Sequence, residues 1–130
     1  MDHQQLIAHA QAARNNAYAP CSNFKVGAAL KTKSGKVYTG CNVELPTVLF
    51  TICGERVALV KALSDGEREF DAMAIASSSG DLTPPCGFCR QMMWELMPNA
   101  KVLIGNDAGE IKVYQMTELL PFAFNKDFIK

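Results

Sequence analysis

The sequence predicts an α/β fold in which one mixed sheet is covered by helices. Two observations predict it. Short apolar or alternating runs bounded by turn residues (FKVGAAL, VYTGCNV, FDAMAIAS, KVLIG and EIKVYQM) read as strands, and the segments between them place apolar residues at helical spacing. The resulting order is α-β-β-α-β-α-β-β-α, with no internal repeat, low-complexity stretch or linker, so residues 1–130 are expected to form a single domain. At this length, folding buries roughly two-thirds of the surface the unfolded chain exposes, enough for a core without disulfide staples.

Each element has a local reason. From Gln4 to Ala17, Leu6, Ile7, Ala10, Ala13 and Ala17 recur on one helical face, and Pro20 closes the segment. Residues 24–30 and 37–43 flank a Ser34-Gly35 turn and should pair as an antiparallel hairpin. Pro46 interrupts the chain after the hairpin. A helix over Cys53–Leu63, ended by Ser-Asp-Gly, turns Val57, Leu59, Val60 and Leu63 mostly to the buried side. Residues 70–77 read as a buried strand, and a loop through Gly80 leads to Pro84 and Pro85. A third helix over Cys86–Met97 is stopped by Pro98 and Asn99. Strands 101–105 and 110–116 are joined by an Asn-Asp-Ala-Gly turn, and Thr117 is a plausible N-cap for a closing helix.

Composition excludes several classes of function. Thirteen basic and thirteen acidic residues cancel, and neither sign gathers into a block, so nucleic acid is not an expected partner. No run approaches the roughly twenty apolar residues that span a bilayer, and the first twenty residues lack the apolar centre of a secretory signal. A cytoplasmic location is therefore expected. In that reducing compartment, five cysteines point to metal binding or chemistry before disulfides.

Cys53, Cys86 and Cys89 fall at the starts of two expected helices, where free backbone amides and partial positive charge favour thiolate. Two cysteines separated by two residues can aim both sulfurs at one ion from a single turn, and Cys53 can add a third ligand from the other helix. Three protein ligands leave a tetrahedral zinc one open position for water, the arrangement of a catalytic rather than a structural site. Glu55 is placed to exchange protons with that water, and Arg56 to balance the negative charge of the thiolates. Two other readings compete. CGFC at a helix start also resembles a thioredoxin-type redox pair, and a structural zinc would need a fourth ligand from Cys21, Cys41, His3 or His9.

CGER at 53–56 followed by PCGFCRQ at 85–91 resembles the paired signature of the cytidine deaminases, in the small form with three cysteines on zinc. The resemblance runs from ARNNAYAPCSNFKVGAAL through GKVYTGCNVE to ELLPFAF. It implies a three-layer α/β/α sandwich around a five-stranded mixed sheet, and a homotetramer whose active sites share residues between subunits. It further implies hydrolytic, zinc-dependent deamination of cytidine or deoxycytidine, with Cys53, Cys86 and Cys89 on the metal and Glu55 moving protons. On the same basis Phe24 lines the nucleoside pocket, Asn42 and Glu44 bind the sugar hydroxyls, and Gly54 meets the pyrimidine through its amide. Phe124, or Phe122 close by, would stack on the base from another subunit. Read without the resemblance, Phe24 also fits a strand core residue and Asn42 a turn residue, as the lesser of two readings.

The pattern breaks after CNVE, where the family usually continues with Asn, small residues and Tyr but this chain reads LPTVLFTI. Leu45, Pro46 and Val48 remove polar groups and stiffen the segment. Pro84 stands where Ser is usual and Cys21 where an aromatic is common. These departures leave the metal ligands intact and open a second expectation, that the substrate is an N4-substituted cytidine or a related aminopyrimidine such as blasticidin S.

Overall fold

The computed structural model describes residues 1–129; Lys130, the last residue of the expected domain, lies outside them. In chain order the elements are α1 (His3–Arg14), β1 (Val26–Thr32), β2 (Val37–Cys41), β3 (Val43–Leu45), β4 (Phe50–Ile52), α2 (Gly54–Ser64), β5 (Phe70–Ser77), α3 (Gly87–Leu96), β6 (Lys101–Gly105), β7 (Ile111–Gln115) and α4 (Met116–Leu119), followed by a 3-10 turn at Lys126–Phe128. Five strands form one sheet in the order β2-β1-β5-β6-β7. Only β5 and β6 run parallel, joined by α3 as crossover; the other three pairings are antiparallel.

Alternation along the strands makes the layers. On β5, Ala72, Ala74 and Ala76 face α1 together with Ala29 and Leu103, while Met73 and Ile75 join Ala58, Leu59, Met93 and Val102 on the side of α2 and α3. The sheet is therefore sandwiched, as expected. The alanine-lined face is shallow and lets α1 lie close. A Cβ on Gly27 would stand 1.9 Å from the Ala10 carbonyl oxygen, so the α1 contact requires glycine there.

Gly40 does the same for α2, because a Cβ there would stand 2.4 Å from the Gly54 carbonyl oxygen and 2.6 Å from the Ala58 nitrogen. The first turn of α2, which carries the CGER residues, is thus seated directly on the backbone of β2.

Four expectations are corrected. α1 ends at Arg14, because Tyr18 leaves the helical path to bridge Val43, with its N–H donating to the Asn42 carbonyl and its own carbonyl accepting from Glu44 N–H. α2 buries Gly54, Glu55, Ala58, Leu59 and Ala62, leaving Val60 exposed and Val57 and Leu63 half-buried. The divergent segment, expected only as a stretch interrupted at Pro46, is itself paired. β3 and β4 form a separate two-stranded hairpin, with Glu44 opposite Thr51 and Leu49 in the left-handed region at φ 49°. Last, α4 is a single turn capped by Gln115 rather than Thr117, with the Glu118 carboxylate accepting from the Gln115 N–H at 2.9 Å. Among the described residues no helix is long and apolar enough to cross a membrane.

Candidate metal centre and adjoining cavity

Cys53 and Cys86 are the N-caps of α2 and α3, each with extended backbone, so both helices start at a thiol. The Cys86 sulfur accepts the Cys89 N–H at 3.5 Å, one of the amides a helix start leaves without an intrahelical partner. Pointed at one another from two helix starts, the sulfurs of Cys53, Cys86 and Cys89 all lie within 4.8 Å of each other. Cys53 Sγ and Cys86 Sγ are 3.8 Å apart. That is far beyond a disulfide bond, and it matches the spacing of about 3.8 Å expected for two thiolates each about 2.3 Å from a tetrahedral zinc.

The donor set therefore fits zinc. No fourth Cys, His, Asp or Glu joins the group among the described residues, so Cys21, Cys41, His3 and His9 do not complete a structural site. The arrangement is the open one.

Around the sulfurs the electrostatics are uneven. Hydrogen bonding from the Cys89 thiol, then from the Arg56 guanidinium and Cys86, holds the Cys53 thiol down at about 5, against its usual 9. Cys89 moves the other way, because it is the donor to Cys53 and is buried. Arg56 Nη2 donates to the Thr51 carbonyl of β4 at 2.6 Å and reaches Cys53 Sγ at 3.5 Å. Its guanidinium carbon lies 4.1 Å from the centroid of the Phe88 ring, and its Nε is buried without a partner among the described residues.

Glu55 is 3% exposed, and its Oε1 is buried with no hydrogen-bond partner among the described residues. Burial first, then the charge of Cys53, pushes its carboxyl up to about 7. An unpaired buried carboxyl oxygen is costly in a folded chain, which marks it as a group built to meet something else.

Glu55 opens on a cavity of about 280 Å³ that Cys53 and Cys86 also line. Phe24, Asn42 and Glu44 line it too, so six of the expected site residues converge there. Asn42 is already engaged: its Oδ1 accepts Val26 N–H at 2.9 Å and its Nδ2 donates to the Phe24 carbonyl at 2.8 Å. Glu44 Oε1 accepts the N–H groups of Cys21 (2.9 Å) and Ser22 (3.0 Å), and its Oε2 accepts the Ser22 hydroxyl. The Ser22 hydroxyl and then the Ser22 N–H hold the Glu44 carboxyl below the usual carboxylate range.

Gly54 is buried at the first turn of α2, 3.2 Å from the Val26 carbonyl oxygen by way of the Cβ it lacks, but is not among the lining residues. Phe124 is not brought to the cavity within one chain. It is 57% exposed and stacks on Phe128 with ring centroids 6.0 Å apart, and Phe122 is fully exposed. Ser22, Thr51, Ser77 and Thr83 line the cavity although sequence reasoning did not single them out. For Ser22 a signal existed, since it lies in the CSNF run two residues before Phe24.

A family model of the cytidine and deoxycytidylate deaminase zinc-binding region matches residues 1–105. The chain is similar to a cytidine deaminase of Halalkalibacterium halodurans, 47% identical over 128 residues that make up 98% of this chain and 97% of that protein. Its structure is similar to the crystal structure of a cytidine deaminase from Burkholderia pseudomallei, with a TM-score of 0.91, 49% identity, and coverage of 95% of this chain and 100% of that one. A blasticidin-S deaminase of Bacillus cereus is 29% identical over 78% of each chain.

Proposed function

The chain belongs to the cytidine and deoxycytidylate deaminase family, and from that premise we propose that it hydrolyses cytidine and deoxycytidine to uridine and deoxyuridine with release of ammonia. The observation that carries the reading is Glu55, a buried carboxyl with an unpaired oxygen on a cavity whose wall also holds two of three clustered thiols. When bound by Cys53, Cys86 and Cys89, zinc supplies a Lewis acid that brings the pKa of water toward about 7.

The remaining work falls to the chain. Glu55 takes a proton from the attacking water and delivers it to N3, where it stays in the product. It then carries the hydroxyl proton at C4 to the departing amine, so that water and cytidine leave as uridine and ammonia. A carboxyl poised near 7 suits a group that must accept and give back a proton in each cycle. Arg56, held by Thr51 and covered by Phe88, offsets the thiolate charge.

Charge also selects within the family's range. Among the described residues the cavity lining contains two carboxylates, Glu44 and Glu55, and no Lys, Arg or His, which supports a neutral nucleoside over a nucleotide whose phosphate would be repelled. Phe24 offers a flat wall for the base, Asn42 and Glu44 polar groups for the sugar, and the Gly54 amide a donor to the pyrimidine. We assign the base-stacking aromatic to Phe124, with Phe122 beside it, supplied by a neighbouring copy in a homotetramer. The exposed apolar groups Val48, Leu49, Phe122 and Phe124 support that assembly. The compartment proposed is the cytoplasm.

A second reading is favoured by one feature. The β3–β4 hairpin with Pro46 and Val48 at its tip, together with Pro84 in the cavity wall, supports N4-substituted cytidines or blasticidin S as substrates. Zinc analysis of the purified protein, with an ultraviolet assay over cytidine, deoxycytidine, N4-substituted cytidines and blasticidin S, decides between them. Zinc-loaded protein that leaves cytidine and deoxycytidine unchanged would overturn the first reading, and cytidine as far the best substrate would overturn the second.

A further inference from the structure

We propose that Ser22 is a positioning residue that joins the sugar-directed carboxylate of Glu44 and the peptide of Phe24 into one unit at the cavity wall. The inference rests on the reading of this cavity as a nucleoside site. A hydroxyl has one proton and two lone pairs. In Ser22 the proton goes to Glu44 Oε2 at 2.5 Å, and a lone pair accepts the Phe24 N–H at 3.0 Å. From the other side Phe24 is gripped by Asn42, whose amide donates to the Phe24 carbonyl at 2.8 Å. All four of these residues line the cavity.

The bonding count explains what Ser22 contributes. An ionised carboxylate has about four acceptor sites. Cys21 N–H and Ser22 N–H take two on Oε1, and the Ser22 hydroxyl takes one on Oε2, leaving one site for a sugar hydroxyl. The orientation of that remaining site depends on Ser22, because a hydrogen bond to an ionised acceptor is roughly twice as strong as a neutral one. The segment it organises has no sheet ladder of its own. Residues 19–25 are turn and irregular backbone, with Asn23 at φ 53°, so side-chain ties do what strand pairing does elsewhere. Ser22 itself is exposed, and replacing it leaves the core untouched.

The test compares Ser22→Ala and Ser22→Thr with the unaltered protein, measuring kcat and KM separately for cytidine and for its 2′-deoxy and 3′-deoxy analogues. Ser22→Ala should raise KM for cytidine roughly ten- to a hundredfold, the scale of losing one hydrogen bond to a charged group, with a smaller change in kcat. The rise should vanish for the analogue that lacks the hydroxyl Glu44 receives, and Ser22→Thr, which keeps the hydroxyl, should restore the original KM. An equal rise across all three substrates, or a folded Ser22→Thr as impaired as Ser22→Ala, would overturn the proposal. Failure of the unaltered protein to deaminate cytidine is a different result, and would remove the nucleoside reading itself.

Discussion

Replacing Glu55 with Gln tests the electrostatics of the site separately from its catalysis. Glu55 sits buried in the first turn of α2, with one carboxyl oxygen unpaired. Burial, followed by the charge of Cys53, raises its carboxyl from the usual 4.5 to about 7. A raised pKa means that the folded chain holds the proton more tightly than the unfolded chain. The contribution to stability is therefore complete below about pH 4.5 and is lost as pH climbs through 7. At 1.36 kcal/mol per unit, the interval from 4.5 to about 7 corresponds to about 3 kcal/mol, of which about 2.5 kcal/mol falls between pH 5 and pH 8. Cys53 works in the opposite sense. Its lowered pKa contributes stability that is present above 9 and is lost as pH falls through about 5. The pH curve of the unaltered protein thus mixes both groups, and the difference between it and Glu55→Gln isolates Glu55. Denaturant unfolding of both proteins stripped of metal should show the variant gaining about 2.5 kcal/mol on the unaltered chain between pH 5 and pH 8. A difference that does not change with pH would refute the reasoning. With zinc bound, the added positive charge favours the carboxylate, and the gain should shrink.

The same variant should lose turnover by roughly 10²- to 10⁴-fold while metal analysis finds its zinc unchanged, which separates proton transfer from metal binding. Gly40→Ala, whose new Cβ would press on the Gly54 oxygen and the Ala58 nitrogen, should destabilise the fold by roughly 1–3 kcal/mol; an unchanged melting temperature would mean that α2 is not seated there. Phe88→Leu should speed zinc release to a chelator about two- to fivefold and Phe88→Trp should not, since only the second keeps an aromatic face over Arg56. Deoxycytidine 5′-monophosphate should be turned over far more slowly than deoxycytidine, in keeping with a lining that, among the described residues, carries two carboxylates and no basic side chain. Comparable kcat/KM values for the two would show that positive charge reaches the site from outside this chain.

How much was legible in the sequence depends on which signals are local. The β1–β2 hairpin was readable because Ser34-Gly35 supplies the turn between two alternating runs, and the starts of α2 and α3 because caps and first turns are written in consecutive residues. The cysteine cluster followed from those two starts. Val60 was misplaced because the contact face of α2 is made by Ala58 and Ala62, small residues that hardly register in a hydrophobic pattern but permit close packing on β2. The β3–β4 hairpin was missed because its turn has no Gly or Asn; Leu49 takes the left-handed position at a steric cost that local sequence does not advertise. The resemblance implied a five-stranded mixed sheet but no strand order, since the adjacency of β5 and β6 depends on how α3 crosses the sheet. Phe124 marks the limit of one chain: it lies exposed against Phe128 and away from the cavity, so the stacking role proposed for it needs a neighbouring copy that its own fold does not signal.

The two ends of the cavity are built from different materials. The metal end stands on backbone contacts, with two helix starts, one of them pressed onto β2 through Gly40, and such contacts tolerate little variation. The end proposed to receive the sugar stands on side-chain ties, Glu44 to Ser22 and Asn42 to Phe24, and on a hairpin outside the main sheet. The ends meet at Thr51, which pairs with Glu44 across the hairpin while its carbonyl holds Arg56 at 2.6 Å, and Arg56 in turn reaches Cys53. Because that tie uses the Thr51 backbone, the side chains from Leu45 to Phe50 can change without breaking it. Only a change in hairpin length or register would move the carbonyl. Side-chain divergence from Leu45 to Phe50, none of which lines the cavity, therefore leaves the metal centre in place, whereas an insertion or deletion between Glu44 and Thr51 would reach it through Arg56.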